Sequence, residues 1–269
     1  MKRLLLSIFT VLLLTAGTGW ADTFDNAFAA YKRGDYAEAV KLYRLSAAQG
    51  NKYAQSSLGY MYENSQGVSQ DYAEAVKWYR LAAVQGFAIA QFSLGTMYDN
   101  GQGVSQDYAE AVKWYRIAAV QGNTSAQYNL GVMYGKGQGV AQDYAETIKW
   151  YRLAAAQGNP RAQYNLGVLY NNGLGATQDY AEAVKWYRLA AAQGVADAQN
   201  NLGNMYHKGE GVTQDYVRAH MWFNLSAASG AADMVKNRDL TARKMTSQQI
   251  AQAQIMARDC QQKNFKGCE

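Results

Sequence analysis

Residues 126–158 read AQYNLGVMYGKGQGVAQDYAETIKWYRLAAAQG, and this line recurs along the chain with few changes. Its Asp-Tyr pair returns six times at a spacing of 36 residues. The pairs are Asp35-Tyr36, Asp71-Tyr72, Asp107-Tyr108, Asp143-Tyr144, Asp179-Tyr180 and Asp215-Tyr216. Such a period is typical of a solenoid, in which each unit buries its apolar face only by stacking on its neighbours. The repeat therefore predicts a surface for binding macromolecules rather than a pocket for chemistry.

The first half of the unit predicts one helix, which we name helix A. Ala126, Leu130 and Met133 recur at helical spacing and place their side chains on one face. The glycine-rich residues 135–139 follow directly, and glycine adopts positive φ without steric cost. We therefore expect helix A to stop at Gly135.

The second half predicts helix B, which begins at an Asp N-cap. Asp143 is followed three residues later by Glu146, so the Asp accepts from free backbone amides and the Glu reaches back in a capping box. The same box occurs at Asp35/Glu38, Asp71/Glu74, Asp107/Glu110 and Asp179/Glu182. After Asp215 the partner position is Arg218, which breaks the box. Acids at the positive end of a helix dipole are explained by capping, so we do not assign them a catalytic role.

The repeated line Ala-Gln-x-x-Leu-Gly-x-Met-Tyr, followed by Gly-x-Gly-Val-x-Gln-Asp-Tyr-Ala-Glu-Ala-Val-Lys-Trp-Tyr-Arg, resembles the Sel1-like repeat, which is related to the tetratricopeptide repeat. The resemblance implies an all-α fold, a right-handed α/α superhelical solenoid. A tetratricopeptide unit has 34 residues, whereas the period here is 36. Five full units match, at 54–86, 90–122, 126–158, 162–194 and 198–230, within residues 54–230.

The ends of the chain predict caps, because the terminal units of a solenoid must each turn one face to water. Residues 22–50 hold a truncated helix pair with a tight turn at 32–34. Residues 231–269 predict a C-terminal helical cap with helices over about 231–243 and 247–262.

Residues 1–21 predict a cleaved signal peptide. Lys2 and Arg3 form a basic start, a short apolar run follows, and Gly19-Trp20-Ala21 places small residues where a signal peptidase cuts. An uncleaved anchor is the weaker alternative, because the apolar run is well short of the roughly 20 residues that span a bilayer. Cleavage after Ala21 predicts a periplasmic or secreted protein with no integral membrane segment.

Charge and cysteine content narrow the class of protein further. Removing Lys2 and Arg3 from the 26 basic residues leaves a net charge of +3 against 21 acidic residues. This charge is too small to indicate nucleic-acid binding. Cys260 and Cys268 lie close together, and an oxidising compartment favours one local disulfide between them. A free pair or an intermolecular bridge remains the alternative.

Two columns of helix A are candidates for contact with a partner, because the first helices of related solenoids line the concave side. The polar column contains Ser57, Ser93, Asn129, Asn165 and Asn201. Three residues further on, the variable column contains Tyr60, Thr96, Val132, Val168 and Asn204. Asparagine offers a donor and an acceptor, which match a peptide backbone. The alternative is that these amides bond to neighbouring helix backbones or to water.

A third helix-A column places aromatic rings in the middle units. It contains Ser56, Phe92, Tyr128, Tyr164 and Asn200. Such rings either anchor a partner or pack between units, and the sequence leaves both interpretations open. Helix B repeats Glu and Lys three residues apart, which indicates a solvated exterior.

The sequence contains no set of residues that indicates catalysis. Its only histidines, His207 and His220, lie in different helices with no paired cysteine, so we expect no metal site, and we expect His207 to be exposed at a loop edge. No phosphate-binding Gly-Lys-Ser/Thr loop follows the glycines, and we expect no cofactor. Some members of the resembled family act on β-lactams, but no Ser-x-x-Lys occurs here.

The resulting hypothesis is a non-catalytic adaptor of the bacterial cell envelope. It would bind another protein, of the envelope or of a host, or an extended peptide, on its concave face. The first alternative is an envelope protein that contacts peptidoglycan or β-lactams and has weak hydrolase activity. The second is an assembly factor that self-associates through its ends.

Overall fold

The computed structural model describes residues 23–268, and the predicted signal peptide lies outside this range. All regular elements of the described residues are α-helices. They are α1 (residues 23–32), α2 (Tyr36–Ala48), α3 (Lys52–Glu63), α4 (Tyr72–Val84), α5 (Ala88–Asn100), α6 (Tyr108–Val120), α7 (Thr124–Lys136), α8 (Tyr144–Ala156), α9 (Pro160–Asn172), α10 (Tyr180–Ala191), α11 (Ala196–Lys208), α12 (Tyr216–Ala227), α13 (Ala232–Ala242) and α14 (Ser247–Gln262).

The odd-numbered helices α3 to α11 are helix A of their units, and the even-numbered helices α2 to α12 are helix B. Each helix B begins at the predicted Asp N-cap, whose carboxylate accepts from backbone amides of the first turn. In α8, for example, Asp143 accepts from the amides of Ala145 and Glu146 at 2.8 and 3.0 Å. This bond satisfies amides that have no partner within the helix.

The Glu half of the predicted capping box is wrong. The carboxylate of Glu146 accepts from Lys149 Nζ at 2.8 Å and from Trp150 Nε1 at 2.9 Å, and Glu182 bonds to Lys185 and Trp186 in the same way. The reason is geometric, because the residues three and four positions on lie on the same helix face as the Glu. A complete capping box forms instead at Thr246 and Gln249 of α14.

Helix A ends later than we expected. In α7 both Gly135 and Lys136 are helical, and the chain turns at Gly137, where φ is +68°. The second glycine of the turn has a different role. A Cβ atom on Gly139 would collide with the backbone carbonyl of Tyr108 in the preceding helix B, so only glycine fits there. Lys32 is likewise helical, and the predicted tight turn after α1 begins one residue later.

Helix A and helix B of one unit approach closely because a glycine faces a tyrosine. Gly131 of α7 lies against the ring of Tyr151, which is 6% exposed, and Gly95 of α5 lies against Tyr115 in the same way. Alanine and leucine fill the rest of each interface, as in the fully buried Ala162. These contacts form the apolar core of each unit.

Consecutive units are joined by buried glutamines. Gln55 donates from Nε2 to the carbonyl oxygen of Ala47 at 3.2 Å and accepts from Gln85 Nε2 at 2.7 Å. Gln91, Gln163 and Gln199 donate to the preceding helix B in the same way, at the carbonyl oxygens of Ala83, Ala155 and Ala191. The bond between two glutamines lies within one unit, and it recurs as Gln121 with Gln91, Gln157 with Gln127 and Gln193 with Gln163. The buried amide groups are thus paired, as burial of a polar group requires.

The described residues also divide into two larger compact units, each of which contains several repeats. The first comprises residues 23–126 and 138–140, and the second comprises residues 127–137 and 141–268. Among the described residues, none of the helices has the length and apolar character needed to cross a membrane.

The second unit ends in a cap that differs from the repeats. Helix α14 packs against α12, and Trp222 and Leu225 of α12 are only 3% exposed. The residue at the repeat's surface-lysine position is here Met221, which is also buried. Cys260 of α14 forms a disulfide with Cys268. This bond holds the last residues against the core of the unit.

His207 is not exposed at a loop edge, and that expectation was wrong. It lies in the last turn of α11, half-buried, with Nδ1 3.0 Å from Thr241 Oγ1 and Nε2 3.2 Å from Lys244 Nζ. Its ring packs edge-on against Tyr216. The cap after the last repeat covers this position, which the repeat pattern alone does not reveal.

Candidate functional site

The first unit contains an open apolar groove at its N-terminal end, which we name the N-terminal groove. Its volume is about 350 Å³. The side chains that build most of its wall are Phe24, Phe28 and Tyr31 of α1, Tyr53 and Tyr60 of α3, and Ile89 of α5. Of these, Phe28, Tyr53, Tyr60 and Ile89 are between 42% and 56% exposed. A large part of the aromatic surface therefore remains accessible to a partner.

The groove is held open by aromatic contacts along its wall. Phe24 stacks on Phe28 with 6.4 Å between ring centroids, and Tyr53 meets Phe87 edge to face at 5.1 Å. These arrangements are favourable for aromatic quadrupoles. Because the rings support one another from three helices, the wall is formed before any partner binds.

Two residues of the polar column, Ser57 and Ser93, lie on the floor of the groove and contact buried tyrosines. Ser57 hydrogen-bonds to Tyr43, and Ser93 hydrogen-bonds to Tyr79. Burial raises the pKa of Tyr79, and the carboxylate of Glu63, which accepts from its hydroxyl at 2.6 Å, raises that pKa further. Burial also raises the pKa of Tyr43. The floor is therefore neutral and carries protonated hydroxyls at physiological pH.

The remaining residues of the two columns occupy separate places. Thr96 donates to the Phe92 carbonyl oxygen at 3.1 Å and lies 3.3 Å from the Tyr115 hydroxyl. In the second unit, Val132, Asn165 and Val168 line a shallow hollow of about 310 Å³. Asn201 and Asn204 line another of about 120 Å³, and Asn129 is half-buried. The structure thus brings Ser57, Tyr60 and Ser93 together and distributes the other seven.

The asparagines of the polar column support tyrosines. Asn165 donates from Nδ2 to the hydroxyl oxygen of Tyr151 at 3.2 Å, and Asn201 hydrogen-bonds to Tyr164 and Tyr187. Burial raises the pKa of Tyr151 and of Tyr187, so their hydroxyls stay protonated. Within the described residues, Asn165 and Asn201 thus meet tyrosine hydroxyls rather than the backbone of a neighbouring helix.

The fold agrees with that of known proteins. The sequence profile of the Sel1 repeat family matches residues 29–51, 52–87, 88–123, 124–159, 160–195 and 196–230. The chain belongs to the Sel1 repeat family. Its architecture is an all-α solenoid of Sel1 repeats, as the sequence predicted. Sel1 repeats are typical of protein–protein interaction scaffolds.

Two crystal structures of Sel1 repeat proteins resemble the chain over most of its length. The Sel1 repeat protein from Oxalobacter formigenes is 38% identical with a TM-score of 0.75, and the match covers 79% of this chain and 88% of that one. The second is c5321, a protective antigen present in uropathogenic Escherichia coli strains that displays an SLR fold. It is 31% identical with a TM-score of 0.60, and the match covers 94% of this chain and 63% of that one. Among curated proteins, none matches significantly.

The aromatic column of the Sel1 repeats packs inside the units. Phe92, Tyr128 and Tyr164 lie with their rings 5.8, 5.6 and 6.1 Å from Tyr115, Tyr151 and Tyr187 of helix B. The rings thus pack between the two helices of one unit, and not between units as the second interpretation predicted. They remain half-buried, so each ring still has one open edge.

Sequence reasoning missed most of the N-terminal groove. The missed wall residues come from α1 and from the first turns of α3 and α5, where the units of the Sel1 array are least alike. A signal was present in the aromatic column, because the repeat 54–86 carries Ser56 where the next three repeats carry a ring. A small residue in a column of large ones indicates empty space.

The described part of the chain offers no cluster of three His, Cys, Asp or Glu side chains that could hold a metal ion.

The two histidines of the Sel1 array both contact the C-terminal cap. Burial lowers the pKa of His207, and Lys244 and Lys208 lower it further. Burial also lowers the pKa of His220, which faces Arg238 and Asp239 of α13. Both imidazoles are neutral at physiological pH.

Proposed function

We propose that this protein is a non-catalytic adaptor that binds an extended segment of a partner protein along its helix-A side. The observation that supports the proposal best is the N-terminal groove. It combines exposed aromatic rings, which commonly supply binding energy at interfaces, with buried hydroxyls on its floor. Preformed grooves between helices are common binding sites in helical folds.

The contrast between the two sides of the first unit favours helix A as the binding side. On helix B, Lys77 pairs with Glu74 at 2.9 Å, and the lysine side chain is 62% exposed. Such surface ion pairs are solvated and contribute little binding energy. The groove side instead carries no charged residue in its lining.

We also propose that the mature protein works in the bacterial envelope or outside the cell, after removal of residues 1–21. This proposal is supported by the composition of those residues and by the presence of the Cys260–Cys268 disulfide, since disulfides persist in oxidising compartments. Fractionation of cells that express the full-length chain, followed by mass spectrometry of its N-terminus, tests it. A chain that begins at Met1 in the cytosolic fraction would contradict it.

Site-specific photocrosslinking in whole cells tests the adaptor function. A photoreactive amino acid placed at Tyr60 in the groove should crosslink a discrete partner protein, and one placed at Asn204 tests the second unit. The matched control is the same group at Lys149 of helix B, whose side chain is 58% exposed. Equal crosslinking from Lys149, or none from any helix-A position, would contradict the proposal.

Assays with purified mature protein test the absence of catalysis. We expect no turnover of nitrocefin and no sedimentation with peptidoglycan. Measurable turnover, lost when the protein is unfolded, would make the hydrolase alternative the better account.

A further inference from the structure

The N-terminal groove lies where the repeat 54–86 lacks the helix-A aromatic ring that the next three repeats carry. In the next three units a ring from helix A covers the buried tyrosine of helix B, with centroids 5.6 to 6.1 Å apart. In the repeat 54–86 the same position is Ser56, which lines the groove beside Tyr79. Ser56 is 7% exposed and Tyr79 2% exposed, so each meets the groove with one edge only. A hydroxymethyl group fills far less space than a phenyl ring, and the groove lies above this small side chain.

We propose that the N-terminal groove receives an aromatic side chain of the partner. This side chain enters at Ser56 and takes the place that Phe92, Tyr128 and Tyr164 fill in the next three repeats. This inference rests on the proposed adaptor function and names the chemistry of its partner. The chain itself shows three times that a Phe or Tyr ring packs well at this register.

The walls of the groove match an aromatic guest. Tyr53 and Phe28 present ring faces and edges, and ring pairs in offset or edge-to-face geometry attract each other beyond what area burial contributes. An aliphatic side chain would gain only the burial of its surface.

The charges around the groove favour acidic residues beside that ring. The ammonium group of Lys32 lies 4.5 Å from the centre of the Phe28 ring, and that of Lys52 lies 5.5 Å from the centre of the Tyr53 ring. The nearby acid, Glu63, is engaged by the hydroxyl of Tyr79. The partner segment is therefore an aromatic residue with acidic neighbours.

Four fluorescein-labelled nonapeptides of Gly-Ser background test the inference by fluorescence anisotropy. One has a central Phe flanked by Asp, and the others replace Phe by Ala, replace Phe by Leu, or replace Asp by Lys. We expect the Phe peptide with Asp flanks to bind at least tenfold more tightly than the Ala peptide. The Leu peptide and the Lys-flanked peptide should both bind more weakly.

The variant Ser56→Phe fills the groove with the side chain that the chain uses at position 92, and it should reduce affinity for the Phe peptide at least tenfold. Ser105→Phe is the matched control, because it makes the same change at an exposed position outside the groove lining and should bind normally. Lys32→Glu combined with Lys52→Glu should remove the preference for Asp over Lys flanks. Circular dichroism and thermal melting confirm that each variant folds.

Unchanged binding by Ser56→Phe, or equal binding of the Phe and Ala peptides, would overturn the inference. Displacement of the Phe peptide by soluble peptidoglycan fragments would assign the groove to a glycan instead. If Tyr60 still crosslinks a protein in cells while Ser56→Phe has no effect on that product, the adaptor function stands and the aromatic anchor is wrong. If no helix-A position crosslinks any protein, the adaptor function itself fails.

Discussion

At the scale of single residues, glycine sets the distance between the two helices of a unit. Gly131 and Gly135 lie one helical turn apart in α7, and both are helical. A Cβ atom on Gly131 would lie 2.6 Å from Cδ1 of Tyr151. A Cβ atom on Gly135 would meet Thr147 only at 3.4 Å or more. The same residue type therefore has a packing role at one position and none at the other.

The substitution Gly131→Ala should destabilise the protein by about 1–3 kcal/mol, because the buried tyrosine must move to admit one methyl group. Gly135→Ala should instead stabilise it by up to about 1 kcal/mol, because alanine is the better helix former and has room there. Urea unfolding of both variants measures the difference. A stabilising Gly131→Ala would show that the two helices separate at little cost.

At the scale of the helix, the N-terminus of helix B depends on one half of the expected capping box. In α4 the Asp71 side chain accepts from the amide of Glu74 at 3.0 Å, whereas the Glu74 carboxylate bonds to Lys77. The Asp satisfies an amide that the helix leaves unpaired, and the Glu forms a surface ion pair. The two acids of the motif therefore differ in their effect on stability.

Asp71→Ala should cost about 0.5–2 kcal/mol of unfolding free energy, the usual loss when a cap is removed. Glu74→Gln should change stability much less, because its partner is a solvated lysine. Thermal and urea unfolding of the two variants provide the test. Equal losses would indicate that Glu74 also bonds to the cap residue in solution.

At the scale of the whole molecule, the two ends of the chain differ in chemistry. The N-terminal groove of the first unit is open and aromatic, whereas the second unit ends under a cap that buries both histidines at least partly. His220 is 3% exposed, and its Nδ1 atom has no hydrogen-bond partner among the described residues. The equivalent positions in earlier units are Val40, Val76, Val112, Ile148 and Val184. In this column of the repeat, a titratable side chain thus occurs only beneath the cap.

The stability of the second unit should fall as the pH drops below about 6.5, the ordinary pKa of histidine. The pKa of His207 and of His220 is lowered in the folded protein, so the unfolded chain takes up protons first. Stability is fully present above that pH and decreases as pH falls toward the folded pKa values. Thermal melting at pH 7.5 and pH 5.5 measures the loss.

The variant His220→Val, which restores the residue type of the other units, is the control for that pH dependence. It should melt at a higher temperature at pH 5.5 and should lose less stability between the two pH values. Adding His207→Gln should further reduce the loss of stability between pH 7.5 and pH 5.5. A pH dependence unchanged in the double variant would assign the effect to other groups.

The sequence predicted the fold well because the residues that begin helix B, such as the Asp-Tyr pair, recur six times. Asp143 as a cap and Asn159-Pro160 as a helix start follow from backbone hydrogen bonding that involves only neighbouring residues. The last turn of α7 was predicted less well, because one glycine costs a helix little, and the chain turns only at the next glycine, Gly137. Local propensity does not contain that information.

By itself, the sequence determined the period, the pairing of helices and the family, because each depends on residues close together in the chain. Only the tertiary structure showed that Asn165 and Asn201 hold tyrosine hydroxyls, that His207 is covered by the cap, and that Ser56 leaves a groove. Each of those findings depends on which side chain from another helix fills a given space. In an array of nearly identical units, packing between helices decides which side chain fills each space.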